Sequence, residues 1–79
     1  MLKLYYADYC PYCQKVIAAF KNINLEFELI DAAPGTPGRE KLLELGGKAQ
    51  IPFLVDGEKM IYESSDIIEY AKKTYSTAS

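Results

Sequence analysis

The residues with the plainest chemical potential are Cys10 and Cys13, in the run Cys10-Pro11-Tyr12-Cys13. Thiolates displace sulfur from disulfides and also ligate soft metals. A C-x-x-C spacing therefore admits redox exchange, half of a metal site, or two buried thiols without chemistry. If Pro11 opens a helix, Cys10 falls at its exposed mouth and Cys13 one turn inside, where the two sulfurs can meet. At a helix N-terminus the ordinary cysteine pKa of about 8.5 can fall to roughly 3.5–7.5, because unpaired N–H groups and the dipole favour the anion. Cys10 is thus the candidate nucleophile, with Lys15 about one turn further in adding positive potential. Cys13, deeper and flanked by apolar side chains, keeps the higher pKa. It suits the second step, attack on a mixed disulfide to expel the other thiol. Pro11 stiffens the first turn and removes an N–H that the helix does not use.

A strand and a helix must position this pair. Leu2, Leu4 and Tyr6 alternate with Lys3 and Tyr5, the period-two pattern of a strand. The turn Ala7-Asp8-Tyr9 leads to a helical face of Cys13, Val16, Ile17 and Phe20, with Gln14, Lys15 and Lys21 outside and Asn22 and Asn24 at the end. Leu25, Phe27 and Leu29 alternate with Glu26, Glu28 and Asp31, which predicts a second strand at a sheet edge. After the breakers Ala32 to Gly38, Thr36-Pro37 starts a short helix carrying Leu42, Leu43 and Leu45, and Gly46-Gly47 stops it. Ile51-Pro52-Phe53-Leu54-Val55, Asp56-Gly57 and Lys59 to Tyr62 read as a hairpin. Glu63-Ser64-Ser65-Asp66 then caps a helix with Ile67, Ile68, Tyr70 and Ala71 inward and Lys72 and Lys73 in its last turn. Asp66 and Glu69 fit a capping-box-like pair.

The order is β-α-β-α-β-β-α, without repeats or an internal linker. The first two strands should be parallel and the last two antiparallel. The predicted fold is α/β, a four-stranded mixed sheet with helices on both faces, as one domain over residues 1–79 with 76–79 as a frayed tail.

Composition narrows the chemistry. A chain of 79 residues, 49% hydrophobic and 25% charged, fits one small soluble core. Net charge is −2 and the nine Lys and Arg are scattered, so no surface tracks a phosphate backbone and nucleic acid is not an expected partner. No apolar run approaches the roughly 20 residues of a membrane span. The start, Met1-Leu2-Lys3-Leu4, resembles a strand rather than a signal peptide, which points to a reducing, cytoplasmic setting. There a dithiol is more often catalytic or metal-bound than structural, and a disulfide closing so small a loop adds little stability. With no His and only two Cys, one chain cannot complete a four-ligand zinc site from nitrogen and sulfur donors. The placement of the pair between a strand and a helix of a β-α-β unit favours redox exchange.

Cys10-Pro11-Tyr12-Cys13 after a first strand, within this element order from Leu2 to Tyr75, resembles the dithiol glutaredoxins of the thioredoxin fold. Gln50-Ile51-Pro52 looks like the family's Thr-Val-Pro segment. In the family that proline is cis and packs beside the reactive sulfur, and the preceding residue pairs its main chain with glutathione as an added strand. Read from the residues alone, Pro52 starts an edge strand, but its place before a hairpin with the C-x-x-C upstream favours the family reading. Glu63-Ser64 opens the last helix, a position able to hold an anion. The resemblance implies that the backbone N–H and hydroxyl of Ser64 or Ser65 hold the γ-glutamyl carboxylate there; alone, these residues are plain N-caps. Tyr12 would flank the bound tripeptide.

The chain also departs from the usual glutaredoxin pattern. It has Tyr62-Glu63-Ser64-Ser65-Asp66 where many glutaredoxins have Gly-Gly and two acidic residues, and Ala7 where a lysine is common. Gln50-Ile51-Pro52 with Glu63-Ser64 looks more like the N-terminal domain of glutathione transferases and the glutaredoxins allied to them. Lys15, Lys48 and Gln50 are left as candidates for the glycine carboxylate.

The resemblance implies a monomeric glutathione-dependent thiol-disulfide oxidoreductase. Glutathione is the co-substrate, no metal is needed, Cys10–Cys13 is the redox-active disulfide, and glutathionylated or disulfide-containing proteins are the partners. Three alternatives stand beside it. The first is a redoxin recharged by a thioredoxin-reductase-type flavoprotein. The second is a dimer bridging an iron–sulfur cluster through Cys10 and glutathione, which Pro11 disfavours. The third is part of a two-domain glutathione transferase, where Ser or Tyr often stands in place of the cysteines.

Overall fold

The computed structural model describes residues 2–75, so the expected frayed tail at 76–79 lies outside the described residues. The elements run β1 (Leu2–Tyr6), α1 (Pro11–Asn22), β2 (Phe27–Asp31), α2 (Pro37–Gly46), β3 (Phe53–Asp56), β4 (Lys59–Tyr62) and α3 (Ser64–Tyr75). The four strands form one sheet in the order β2-β1-β3-β4. β1 pairs parallel with β2 and antiparallel with β3, and β3 pairs antiparallel with β4. This is the thioredoxin-like architecture expected from the element order, with β2 at an edge.

Two apolar layers sandwich the sheet. On one face Val16, Ile17 and Phe20 of α1 and Ile67 and Ala71 of α3 pack on Leu2, Leu4 and Leu54. The Phe20 ring meets Phe27 edge-on at 5.0 Å between centroids. On the other face Leu42 of α2 packs with Tyr5, Ala32 and Phe53. The inward face expected for α1 is the one buried: Cys13, Val16, Ile17 and Phe20.

The helix ends follow local rules. Thr36 accepts the Arg39 N–H at 3.2 Å on its hydroxyl, Pro37 occupies the first turn, and Gly47 closes α2 in the left-handed region at φ 79°. The hairpin closes through Gly57-Glu58, with Gly57 at φ 63° where a side chain would be strained.

Tertiary placement changed four expectations. Tyr5 was expected on the outward face of β1, yet it is 2% exposed. β1 lies between β2 and β3, and α2 covers its second face at Tyr5 while Lys3 on that face stays exposed. In β2, Leu29 is exposed while Ile30 packs against the α2 layer; the cover from α1 reaches Phe27 and stops there. Leu43 of α2 is exposed, and Leu42 and Leu45 carry its inward face. The Asp66–Glu69 capping box does not form. The Ile67 N–H donates to the Glu63 carbonyl at 3.0 Å, so α3 begins at Ser64 and Asp66 sits inside its first turn. There its charge still complements the helix dipole. No helix among the described residues is long and apolar enough to cross a membrane.

Candidate functional site

β1 delivers the chain to the mouth of α1, and the dithiol sits at that junction. Cys10 is the N-cap of α1, extended at φ −91° and ψ 111°, with Pro11 opening the helix. Its N–H donates to the Ala7 carbonyl at 3.1 Å and its carbonyl accepts the Gln14 N–H at 3.1 Å. The Cys13 backbone N–H donates to Cys10 Sγ at 3.3 Å. The Cys10 sulfur thus takes the place of the usual capping oxygen, facing a main-chain donor at the positive end of the helix.

Both cysteines are free thiols. Cys10 keeps 8% exposure and Cys13 none, so only Cys10 presents an edge to solvent. Burial pushes the Cys13 thiol well above its ordinary range, and the hydrogen bond to Cys10 pushes the same way. Loss of the Cys13 proton is therefore disfavoured where it lies. Ala7, fully buried, packs against both cysteines together with Ile51. A lysine at position 7 could not keep that place, because its ammonium would lose its water.

A cavity of about 550 Å³ opens beside the mouth of α1, lined by Tyr12, Lys15, Gln50, Ile51, Pro52, Glu63, Ser64 and Ser65. Three elements supply it: the first turns of α1 and α3 and the loop that enters β3. The Ile51–Pro52 peptide bond is cis. Tyr12 is 63% exposed and forms one wall. Gln50 Nε2 donates to Glu63 Oε2 at 2.9 Å across the cavity. Glu63, at φ 72°, turns the chain from β4 into α3, so the first N–H groups of α3 lie at the cavity wall without intrahelical acceptors. Such a terminus favours a bound anion, and Lys15 adds a cation to the same space.

Eight of the nine residues singled out for glutathione contact line this one cavity. Lys48 does not; its ammonium lies 5.0 Å from the centre of the Tyr62 ring. The cavity holds no aliphatic patch beyond Ile51 and Pro52 and is rich in main-chain and side-chain donors, as a small polar peptide requires. Among the described residues no group of three His, Cys, Asp or Glu side chains is placed to hold a metal ion. Sequence reasoning missed the supports behind the site. Arg39 and Tyr62 bond to the loop that carries Gln50, and no local pattern marks either residue.

Residues 4–79 match the family model described as Glutathione S-transferase, N-terminal domain. Glutaredoxin 2 of Escherichia coli (strain K12) is 38% identical over 76 residues, 91% of this chain and 33% of that protein. An uncharacterized glutaredoxin-like 8.6 kDa protein in the rubredoxin operon of Clostridium pasteurianum is 27% identical over 62 residues, 77% of this chain and 83% of that one. Among solved structures, Glutathione S-transferase 1-6 from Anopheles dirus species B superposes with a TM-score of 0.84 at 30% identity, covering 95% of this chain and 36% of that one. The chain spans about a third of the length of the glutaredoxin 2 and transferase relatives.

Proposed function

The chain belongs to the glutathione S-transferase N-terminal-domain family, and from that premise we propose that it is a glutathione-dependent thiol-disulfide oxidoreductase. The observation that carries this reading is a sulfur at the cap of α1 beside a cavity with anion-binding and main-chain donors, with a second thiol one turn below. Glutathione is the co-substrate, and glutathionylated or disulfide-bearing proteins of a reducing compartment are the partners.

In the monothiol cycle the Cys10 thiolate attacks the glutathione sulfur of a mixed disulfide. The S–S bond breaks, the substrate thiolate leaves and takes up a proton, and Cys10 carries glutathione. A second glutathione thiolate attacks that glutathione sulfur, forming glutathione disulfide and restoring Cys10. With a protein disulfide, Cys10 first forms a mixed disulfide with the substrate. Cys13, once deprotonated, attacks Cys10 Sγ, releases the reduced substrate and leaves the Cys10–Cys13 disulfide for two glutathiones to reduce. The burial of Cys13 and the upward push on its thiol suit this order, since both disfavour attack by Cys13 in the first step. In the proposed complex the Ser64 and Ser65 N–H groups hold the γ-glutamyl carboxylate, Ile51 pairs with the tripeptide main chain, and Lys15 and Tyr12 border it.

Turnover of a glutathione-mixed disulfide with glutathione and glutathione reductase tests the proposal. Wild type should turn over, Cys10→Ser should not, and Cys13→Ser should stay within a few-fold of wild type while losing reduction of protein disulfides. Turnover supported only by thioredoxin reductase would contradict it. The transferase likeness supports a second reading, in which the same cavity orients the glutathione thiolate toward an electrophile. Conjugation of a chloronitroarene by both cysteine variants at the wild-type rate would favour that reading.

A further inference from the structure

We propose that Arg39, which lines no part of the cavity, is a positioning residue for it, acting with Tyr62. The inference rests on the reading that the cavity takes glutathione. The loop from Gly47 to Gln50 leaves α2 and delivers Ile51-Pro52 to the cavity. Three successive residues of this loop are each tied to a different element. The Lys48 carbonyl accepts the Tyr62 hydroxyl at 3.3 Å, from β4. The Ala49 carbonyl accepts Arg39 Nη1 at 3.4 Å, from α2. The Gln50 amide donates to Glu63 at 2.9 Å, at the mouth of α3.

The first two supports are shaped for this task. Arg39 Nε also donates to the Ala32 carbonyl at 2.8 Å, and Ala32 N–H in turn donates to the Tyr6 carbonyl at 2.7 Å, just past the paired end of β1. Arg39 therefore ties the loop to the end of the sheet from which β1 leads to the dithiol. Among the described residues the ion pairs are Lys41–Glu44 and Lys73–Glu69, and Arg39 takes part in neither. Its charge is answered by carbonyls, and its rigid planar fork holds two donors at a fixed angle to two acceptors. Tyr62 is wedged from the other side. A Cβ on Gly46 would fall 1.9 Å from its hydroxyl, so the end of α2 presses directly on it, and the Lys48 ammonium covers its ring.

These ties matter because Ile51 would meet its ligand through the main chain. A side chain can change rotamer to follow a ligand, whereas a strand-like pairing moves with the backbone that carries it. If either tie is lost, the loop shifts and the pairing geometry shifts with it.

The test is isothermal titration of wild type, Arg39→Lys, Arg39→Met and Tyr62→Phe with reduced glutathione, alongside the rate of iodoacetamide alkylation at Cys10. Arg39→Met and Tyr62→Phe should each weaken glutathione binding by about tenfold, the scale of one net hydrogen bond. Arg39→Lys should fall between wild type and Arg39→Met, and alkylation should change less than binding does, since the cap of α1 is made within α1 itself, although Ile51 packs near it. Folded variants that bind glutathione as wild type does would overturn the positioning role alone. Alkylation falling in step with binding would also overturn it, by showing general loss of structure. Failure of wild type itself to bind glutathione would overturn the cavity's assignment and this proposal with it. Tyr62→Phe removes a single hydroxyl, so the test stands even if Arg39→Met does not fold.

Discussion

The two ends of the sheet use polar groups in opposite ways. At the end where β3 turns into β4, the Asp56 carboxylate accepts the Tyr70 hydroxyl at 2.6 Å and the Tyr75 hydroxyl at 2.5 Å, with the two rings edge-on at 6.4 Å. The Asp56 carboxylate is answered there by two hydroxyls, and the effect is to fasten the C-terminal half of α3 to the hairpin. At the opposite end, β1 stops, α1 and α3 begin, and Lys15 and the first turn of α3 line a cavity beside the helix that Cys10 caps. The supports at that end run behind the cavity, through main-chain carbonyls. One end closes on itself and holds the fold; the other is left open to a ligand. Substitutions at the two ends should therefore separate activity from stability.

The largest effect expected is at the open end. Cys10→Ser should lower disulfide exchange by at least about 10³-fold, on the scale of removing a catalytic nucleophile, while the melting temperature moves little. A fall of many degrees in that variant would break the comparison. The next largest effect lies at the closed end. Asp56→Ala removes the acceptor of two charge-assisted bonds and should cost about 1–3 kcal/mol, allowing for partial exposure. Over a domain of this size each kcal/mol is about 4–8 °C by thermal melt, and the turnover of the folded protein should be unchanged. Tyr75→Phe removes one of the two donors and should cost about 0.5–1.5 kcal/mol in chemical denaturation.

The pH dependence has a defined sign at the closed end. The Tyr70 and Tyr75 hydroxyls hold the Asp56 carboxyl below its ordinary range. Its contribution is therefore complete above the unfolded carboxyl pKa of about 3.9 and is lost as pH falls through the lower folded value. The same bonds push the Tyr75 hydroxyl up to about 12. That contribution is present below the unfolded tyrosine pKa of about 10 and is lost as pH rises through about 12. Stability of wild type minus Asp56→Ala, followed from pH 5 down to 2, should shrink toward zero. A difference that grew with acidity would contradict the assignment.

How much of each end could be read from the sequence differs for the same physical reason. The open end is announced by local chemistry. Cys10, Pro11 and Cys13 are neighbours in the chain, Thr36-Pro37 and Gly47 mark helix limits by their own conformational preferences, and Pro52 and Ser64 fall beside strand and helix starts. Such signals need no knowledge of what packs against them. The closed end joins residues 14 and 19 positions apart, and nothing local in Asp56 names Tyr70 or Tyr75 as its partners. Tyr5 and Leu29 were misplaced for a related reason: alternation fixes which residues share a face, but not which faces α1 and α2 cover. Arg39 was invisible as a support because its partners are carbonyls, which every residue carries. Asp66 misled because a residue favoured at a cap is also favoured in the first turn, where the dipole is the same.

The most direct measurement of the central claim is mass spectrometry of Cys13→Ser and Cys10→Ser after exposure to glutathione disulfide. Cys13→Ser should carry one glutathione, mapped to Cys10, and Cys10→Ser should carry none, because its remaining thiol is buried and held protonated. Equal labelling of Cys13 in the Cys10→Ser protein, or no adduct on Cys10 in either, would contradict the assignment of Cys10 as the sulfur that meets glutathione.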